Sequence, residues 1–360
     1  MRAIVTGGGT GGHIYPALEI AAGLQSEGLE VAYFGSFRGQ EGRACQRIAL
    51  PFQAFPSEPL YSLKTPRGWR AAFHLAKAVR LAKTAMREFG PKLVVSTGGY
   101  SSAPVLYAAR SLGIPYVIHE QNVVPGRTNR LLSPQSFAVC TTFRRGAEHF
   151  PQAQVIRTGI PVRKSFRGQP NLNFEHPVSN DRPVILAMGG SQGASAINEA
   201  VLATVVRMAR YHTQWIHLSG PDHFDAIQKT AGKLGVGDDY KVRAYLSEDE
   251  MATAVFASSL ALCRSGAGTL AELAAYRKPS ILVPLPNSFA NHQMLNAQEF
   301  AEMGAATIIP QHELQPSTVE SRILQWDEPE MREQAAAALA EWDNPNALAD
   351  ILQICRDAMK

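Results

Sequence analysis

Five glycines and a histidine fall within seven residues at Gly7-Gly8-Gly9-Thr10-Gly11-Gly12-His13, between an apolar run, Ala3–Thr6, and a segment with helical spacing. Glycines let such a turn enter positive φ and let a ligand approach the main chain. The open N–H groups and positive end of the helix that follows attract an anion. Gly7, Gly9 and Gly12 also match the spacing of dinucleotide-binding turns. The ribose-binding acid expected about 20 residues later is absent, since the next strand-like run ends Tyr33-Phe34-Gly35-Ser36. An NAD(P)-dependent oxidoreductase is therefore a weak reading, and without Gly-Lys-Ser/Thr there is no P-loop.

A second turn of the same kind, Gly189-Gly190-Ser191-Gln192-Gly193-Ala194, again separates a strand-like run from a helical one. Two such turns suit a ligand that carries a diphosphate. A third, Cys263-Arg264-Ser265-Gly266-Ala267-Gly268-Thr269-Leu270-Ala271-Glu272, places Glu272 about one turn into a helix. A carboxylate there can accept two hydrogen bonds from a ribose diol, or can simply sit well near a helix N-terminus. His119-Glu120-Gln121-Asn122 and Ser96-Thr97-Gly98-Gly99-Tyr100-Ser101 put polar side chains just after apolar runs, where open α/β sheets bind ligands. In Asn291-His292-Gln293-Met294-Leu295-Asn296 the amides Gln293 and Asn296 share a helix face. Amides both donate and accept, as sugar hydroxyls require.

The segment Arg67–Arg87 is basic and amphipathic. At about 100° per residue, Leu75, Val79 and Met86 fall together and are expected to face the core. Arg70, Lys77, Arg80, Lys83 and Arg87 fall opposite, with Trp69 and Phe73 among them. Basic residues interleaved with outward aromatics suit an anionic membrane surface; a solvated helix face is the plainer alternative. No nucleic-acid-binding motif accompanies the patch. The chain contains no Asp-x-Asp and no His-Glu-x-x-His.

The elements that must position these residues alternate along the chain. Strands are expected at Ala3–Thr6, Glu30–Phe34, Leu93–Thr97, Tyr116–His119 and Phe137–Thr141. Others are expected at Val184–Met188, Gln214–Leu218, Lys241–Ala244, Leu260–Cys263 and Ser280–Val283. Between them, spacings such as Ile14, Ala17, Leu18, Ala21 and Leu24 mark helices. Strand–helix alternation implies parallel sheets covered on both faces. At 360 residues, against roughly 150 per domain, two doubly wound α/β domains facing a cleft are expected. Hydrophobic residues at 45% and charged residues at 18% exclude a disordered or fibrous chain. Residues 1–165 carry 20 Lys+Arg against 8 acidic residues, or +12, and residues 166–360 carry 15 against 23, or −8. The first half is thus suited to an anionic partner. Four scattered cysteines without a Cys-x-x-Cys fit a reducing compartment rather than a disulfide framework or zinc site. No run of 18 apolar residues is present, and the first residues are expected to enter a strand directly, so no signal peptide is expected.

Seven strings, GGGTGGHIYPALEIA, STGGYSSAP, HEQNVVPGRTNR, TGIPVR, GGSQGASAIN, CRSGAGTLAE and NHQMLNA, stand in that order. Together they resemble glycosyltransferase family 28, and in particular its N-acetylglucosamine transferases of peptidoglycan synthesis. The resemblance runs from residue 6 to about 300. It implies the GT-B architecture, with domains over 1–163 and 164–343 and a helix within 344–360 crossing back to the first. It implies inverting, metal-independent transfer of N-acetylglucosamine from UDP-N-acetylglucosamine to lipid I, an undecaprenyl-diphosphate-linked muramoyl-pentapeptide, forming lipid II. No cofactor would be required. The enzyme would sit peripherally on the cytoplasmic face of the bacterial plasma membrane.

By the same resemblance, Thr10, Gly11, Gly12, Asn122 and Arg163 would contact the donor, Arg163 near its diphosphate. Ser191 would hold phosphate and Leu246 would meet uracil through its backbone, ahead of a loop at Ser247–Glu250. Ala267, Gly268, Thr269, Leu270, Ala271 and Glu272 would line the nucleotide, with Glu272 on the ribose, and Gln293 would read the donor sugar. Such chemistry needs a base for the acceptor hydroxyl. His13 is favoured, because the positive end of a helix opposes imidazolium. Glu120 competes, and Tyr100 would position the acceptor. A GT-B enzyme acting on diacylglycerol is an alternative.

Overall fold

The β-branched and apolar runs become two all-parallel sheets. A computed structural model describes residues 1–59, 64–168, 182–190 and 192–360. The chain divides into two units: Met1–Val162 with Asn344–Lys360, and Arg163–Asp343.

In the first unit, β1 (Arg2–Thr6), α1 (Gly11–Ser26), β2 (Glu30–Ser36), α2 (Glu41–Arg47), β3 (Phe52–Phe55) and α3 (Pro66–Phe89) form one half of the sheet and its cover. The other half is β4 (Leu93–Ser96), α4 (Ala103–Ser111), β5 (Tyr116–Glu120), α5 (Arg127–Leu132), β6 (Ala138–Thr141) and β7 (Val155–Arg157). The strand order β3-β2-β1-β4-β5-β6-β7 reverses direction of travel between β1 and β4. Crevices beyond the carboxyl ends of strands at such a reversal are where open sheets bind ligands.

The second unit repeats the plan. It contains β8 (Val184–Met188), α6 (Ser195–Met208), β9 (Gln214–Leu218), α7 (Phe224–Ala231), β10 (Tyr240–Arg243) and α8 (Glu248–Ala257). They are followed by β11 (Leu260–Cys263), α9 (Ala267–Ala275), β12 (Ser280–Leu282), α10 (His292–Glu302), β13 (Ala306–Ile308), α11 (Pro316–Gln325) and α12 (Pro329–Trp342). Its order is β10-β9-β8-β11-β12-β13, reversing between β8 and β11. The last helix, α13 (Ala347–Ala358), packs in the first unit. There Ile351, Leu352 and Cys355 join Ala17, Ala21, Leu24, Val31 and Val95 in one core. Gly23 is where α1 lets α13 in, since a Cβ there would lie 2.9 Å from Leu352 Cδ1.

The ten expected strands are present within a residue or two at their ends. Three others, β3, β7 and β13, were not anticipated. Each lies at an edge of its sheet and is three or four residues long with partly exposed side chains, so neither alternation nor a continuous apolar run marks it. Helix α3 also differs from expectation. Leu75 and Val79 are only half-buried, and the buried face is Gly68, Ala71, Ala78, Ala82 and Met86. Ala78 and Ala82 pack with Val105, Leu106, Ala108 and Ala109 of α4, because small side chains let two helices approach closely. Ser247–Glu250 is not a loop but the start of α8. The Ser247 hydroxyl accepts from Glu250 N–H while the Glu250 carboxylate accepts from Ser247 N–H, a reciprocal cap satisfying two donors.

Candidate active site

In the first unit the glycine turn after β1 and the turn after β4 meet backbone to backbone. Gly8 N–H donates to Gly98 O at 3.1 Å. Gly99 has φ +86°, and a Cβ there would lie 2.0 Å from Gly8 O, so this approach admits only glycine. The Thr97 hydroxyl donates to His13 O at 2.8 Å. Gly9 N–H donates to Glu41 Oε1 at 3.2 Å, and Glu41 is wholly buried. Thr10 is the N-cap of α1, without a side-chain cap bond, and Gly12 is exposed. The first turn of that helix thus presents main chain to solvent, as an anion site requires.

His13, in that first turn, is part of a polar chain. Its Nδ1 lies 2.9 Å from Thr97 O and 2.8 Å from Gln121 Oε1. Gln121 Nε2 lies 2.9 Å from His119 Nδ1 and 3.0 Å from His119 O. His119 Nε2 lies 2.8 Å from Gly159 O. His119 is wholly buried, and burial, with nearby His13 adding to it, lowers its pKa to about 4 against the hydrogen bond to Gly159. Tyr100 lies beside Gly9, where a Cβ would come within 2.9 Å of its ring. Burial and the Glu41 charge raise its phenol pKa.

Glu120 is turned inward. Its Oε1 accepts from Asn122 N–H at 3.0 Å, and its Oε2 from Gly126 N–H at 3.1 Å and Asn129 Nδ2 at 2.8 Å. The residue is fully buried, so this carboxylate holds the loop after β5 and the start of α5.

In the second unit Arg163 and Glu272 come together. Glu272 Oε1 accepts from Arg163 Nη2 at 2.6 Å and Nε at 3.2 Å, and Glu248 Oε2 lies 3.9 Å from Arg163 Nη1. The guanidinium sits 4.9 Å from the Phe166 ring centroid. Burial holds the Glu272 carboxyl above the ordinary range despite Arg163 beside it. The Arg163 guanidinium is held above its usual value, because Glu272 and Glu248 outweigh its own desolvation. Along α9, Ala267, Leu270 and Ala271 are buried, while Gly268, Thr269 and Glu272 are partly exposed. Leu246 packs its side chain inside. Gln293 Oε1 accepts from Leu285 N–H at 2.9 Å and Asn296 Nδ2 donates to Ser265 O at 3.2 Å. The two amides thus tie α10 to the turns after β12 and β11. Ser191 lies outside the described residues; Gly190 and Gly193 both have positive φ.

On α3, Trp69 and Phe73 are 68% and 69% exposed, and Arg70, Lys77 and Arg80 share the surface, with Lys83 partly exposed. Glu58 lies 3.0 Å from His74 Nδ1 and 3.8 Å from Arg70 Nη2. Among the described residues no helix is long and apolar enough to cross a membrane, and no three His, Cys, Asp or Glu are grouped to hold a metal ion.

Residues 3–140 match the glycosyltransferase family 28 N-terminal domain, and residues 184–353 match the family's C-terminal domain. The chain belongs to glycosyltransferase family 28. Within this family it is similar to two proteins named UDP-N-acetylglucosamine–N-acetylmuramyl-(pentapeptide) pyrophosphoryl-undecaprenol N-acetylglucosamine transferase. The one from Exiguobacterium sp. is 36% identical, covering 98% of this chain and 99% of that protein. The one from Desulforudis audaxviator is 38% identical, covering 98% and 97%. The crystal structure of Acinetobacter baumannii MurG superposes with a TM-score of 0.80 at 27% identity, covering 99% of both chains. The fold is GT-B, two Rossmann-like domains.

Family-28 motifs did not single out Glu41 or Glu248. Glu41 follows the unremarkable Arg38-Gly39-Gln40, and only the fold brings it under Gly9. Glu248 carried a local signal, the Ser-x-x-Glu cap around it. Gln121 was legible as part of a polar string after a strand, but its contact with His13 spans 108 positions.

Proposed function

We propose that the protein transfers N-acetylglucosamine from UDP-N-acetylglucosamine to the 4-hydroxyl of the muramoyl sugar of lipid I, forming lipid II with inversion at the anomeric carbon. The observation that carries this is near-full-length similarity, at 36% and 38% identity, to proteins named for that transfer. Neither diacylglycerol as acceptor nor nicotinamide chemistry has comparable support.

The acceptor oxygen attacks the anomeric carbon opposite the leaving group. The bond from that carbon to the β-phosphate oxygen breaks, its electron pair leaves with UDP, and the acceptor proton passes to His13. Glu120, held by three donors, serves instead to shape the loop that carries Asn122. Tyr100 positions the acceptor. The second unit supplies the donor contacts. Arg163 and the N-terminal turns of α6 and α9, with Ser191, meet the developing phosphate charge. Residues 267–272 line the nucleotide, with Glu272 on the ribose, Leu246 at the uracil and Gln293 at the sugar. Thr10, Gly11, Gly12 and Asn122 complete the donor contacts. Because Arg163 and Glu272 bind each other directly, donor binding has to redirect that pair. Trp69 and Phe73, among Arg70, Lys77, Arg80 and Lys83, dock the protein peripherally on the anionic cytoplasmic leaflet. There each basic residue contributes about 1 kcal/mol.

The test is UDP release from UDP-N-acetylglucosamine in EDTA, with and without a short-chain lipid I analogue. Acceptor-dependent release is expected. Donor binding without release would move the acceptor to another lipid, and no donor binding would overturn the reading. A His13→Ala protein with near-normal turnover would exclude His13 as the base.

A further inference from the structure

The chain from Gly159 to His13 fixes where its protons sit. Gly159 O can only accept, so His119 Nε2 carries a proton. Burial keeps the His119 ring neutral, which leaves Nδ1 as a lone pair. The Gln121 amide end that lies 2.9 Å from this lone pair and 3.0 Å from His119 O faces two acceptors. It is therefore the NH2 end, and the amide oxygen points at His13. His13 Nδ1 then lies between two oxygens, Gln121 Oε1 and Thr97 O, at 2.8 Å and 2.9 Å. Both accept, so the His13 proton belongs on Nδ1.

We infer that Gln121, oriented by His119, is a positioning residue that holds His13 as its Nδ1–H tautomer, so that Nε2 is the atom that takes the acceptor's proton. The catalytic half of this inference rests on His13 being the base; the tautomer itself does not. As Nε2 takes the proton, the imidazolium's positive charge is met at Nδ1–H by two amide oxygens. This arrangement fills the orienting role a carboxylate plays in a Ser-His-Asp triad without burying a second charge beside the ring. It also gives a task to the histidine and glutamine of the His119-Glu120-Gln121-Asn122 string, whose glutamate ends β5 and holds the loop that carries the asparagine.

The decisive readout is the nitrogen resonances of the His13 ring in 15N-labelled protein, in long-range proton–nitrogen spectra recorded where the ring is neutral. A His13→Ala spectrum assigns them. Wild-type protein is expected to show a protonated Nδ1 and an unprotonated Nε2; a predominant Nε2–H form would overturn the inference without any variant. In Gln121→Leu, Thr97 O remains as one acceptor. The Nδ1–H form should lose population, and kcat should fall roughly tenfold to a hundredfold, less than the roughly 10⁴-fold loss for a fully wrong tautomer in a triad. KM for both substrates should stay within about twofold, because Gln121 is not a substrate contact here. An unchanged spectrum with unchanged kcat in Gln121→Leu would refute the positioning role. If instead His13→Ala retains turnover, the base assignment fails, while the wild-type spectrum still decides the tautomer.

Discussion

Replacing Gly99 with alanine tests whether backbone contact between the two glycine turns holds the candidate site together. The residue has φ +86°, and the added Cβ would lie 2.0 Å from Gly8 O and 3.0 Å from Gly8 C. Main-chain atoms cannot swing aside as a side chain can. The turns must separate, and the Gly8 N–H to Gly98 O bond of 3.1 Å is lost with them. Left-handed backbone costs alanine about 1 kcal/mol, the lost hydrogen bond about 1 kcal/mol and the forced separation of the turns about 1 kcal/mol more, for a total of about 3 kcal/mol. Gly113→Ala is the control, since its φ is +69° and nothing lies within 4 Å of the added Cβ. It carries only the backbone term, about 1 kcal/mol. For a unit of this size the thermal midpoint should fall by roughly 6–12 °C in the first variant and 2–4 °C in the second. UDP release at a temperature where both are folded should fall at least about tenfold in Gly99→Ala, because His13 rides on the displaced turn. Equal midpoints in the two variants, with normal release by Gly99→Ala, would refute the reasoning.

Three further outcomes are expected. Glu120→Gln puts an amide NH2 against main-chain and Asn129 donors and should destabilise the protein by about 2 kcal/mol in urea unfolding; release by the folded variant should stay within about tenfold of wild type, and a loss near 10³-fold would return the base role to Glu120. His119 and His217 are each lowered by burial from 6.5 to about 4; the unfolded chain therefore takes up these protons first, stability is lost as pH falls from about 6.5 to about 4, and each site contributes up to about 3 kcal/mol of that loss. His217→Gln should flatten the dependence of the urea midpoint over that window, and an unaltered slope would contradict the assignment. In sedimentation with phosphatidylglycerol vesicles, Trp69→Ala with Phe73→Ala should lower binding at all salt concentrations, whereas Lys77→Ala with Arg80→Ala should lower it chiefly at low salt; equal pelleting of wild type and both variants would remove α3 from the membrane.

Central strands were legible because burial on both faces demands continuous apolar runs, as in Val184–Met188 and Leu260–Cys263, and the turns were legible because glycine marks them. Edge strands such as Val155–Arg157 lack that demand and went unseen. Of the three α3 residues that apolar periodicity places inside, Met86 is buried, whereas Leu75 and Val79 are only half-buried. Where two helices lie close, Ala78 and Ala82 are inside, and Leu75 and Val79 are pushed to the flank. In the candidate site, strings near strand ends were readable, but their partners were not. Nothing local to Glu41 announces Gly9, and nothing local to Arg163 says that Glu272, 109 positions on, will accept its hydrogen bonds. Such pairings come from the fold, which brings segments remote in the chain together.

The first unit is interrupted: residues 163–343 are spliced into it, and its core is completed by α13. Chain order then becomes folding order. As synthesis proceeds from the N-terminus, the sheet of the first unit emerges whole while Ala17, Ala21 and Leu24 still lack the helix that covers them. The inserted unit is made entire before Ile351, Leu352 and Cys355 arrive. Asn344, whose Nδ2 donates to Thr158 O at 2.9 Å, then fastens the late segment beside Gly159, the carbonyl at the far end of the His13 chain. A nascent chain stopped after residue 343 would therefore hold a finished second unit beside an open first one. That opening is an apolar surface for a chaperone to cover.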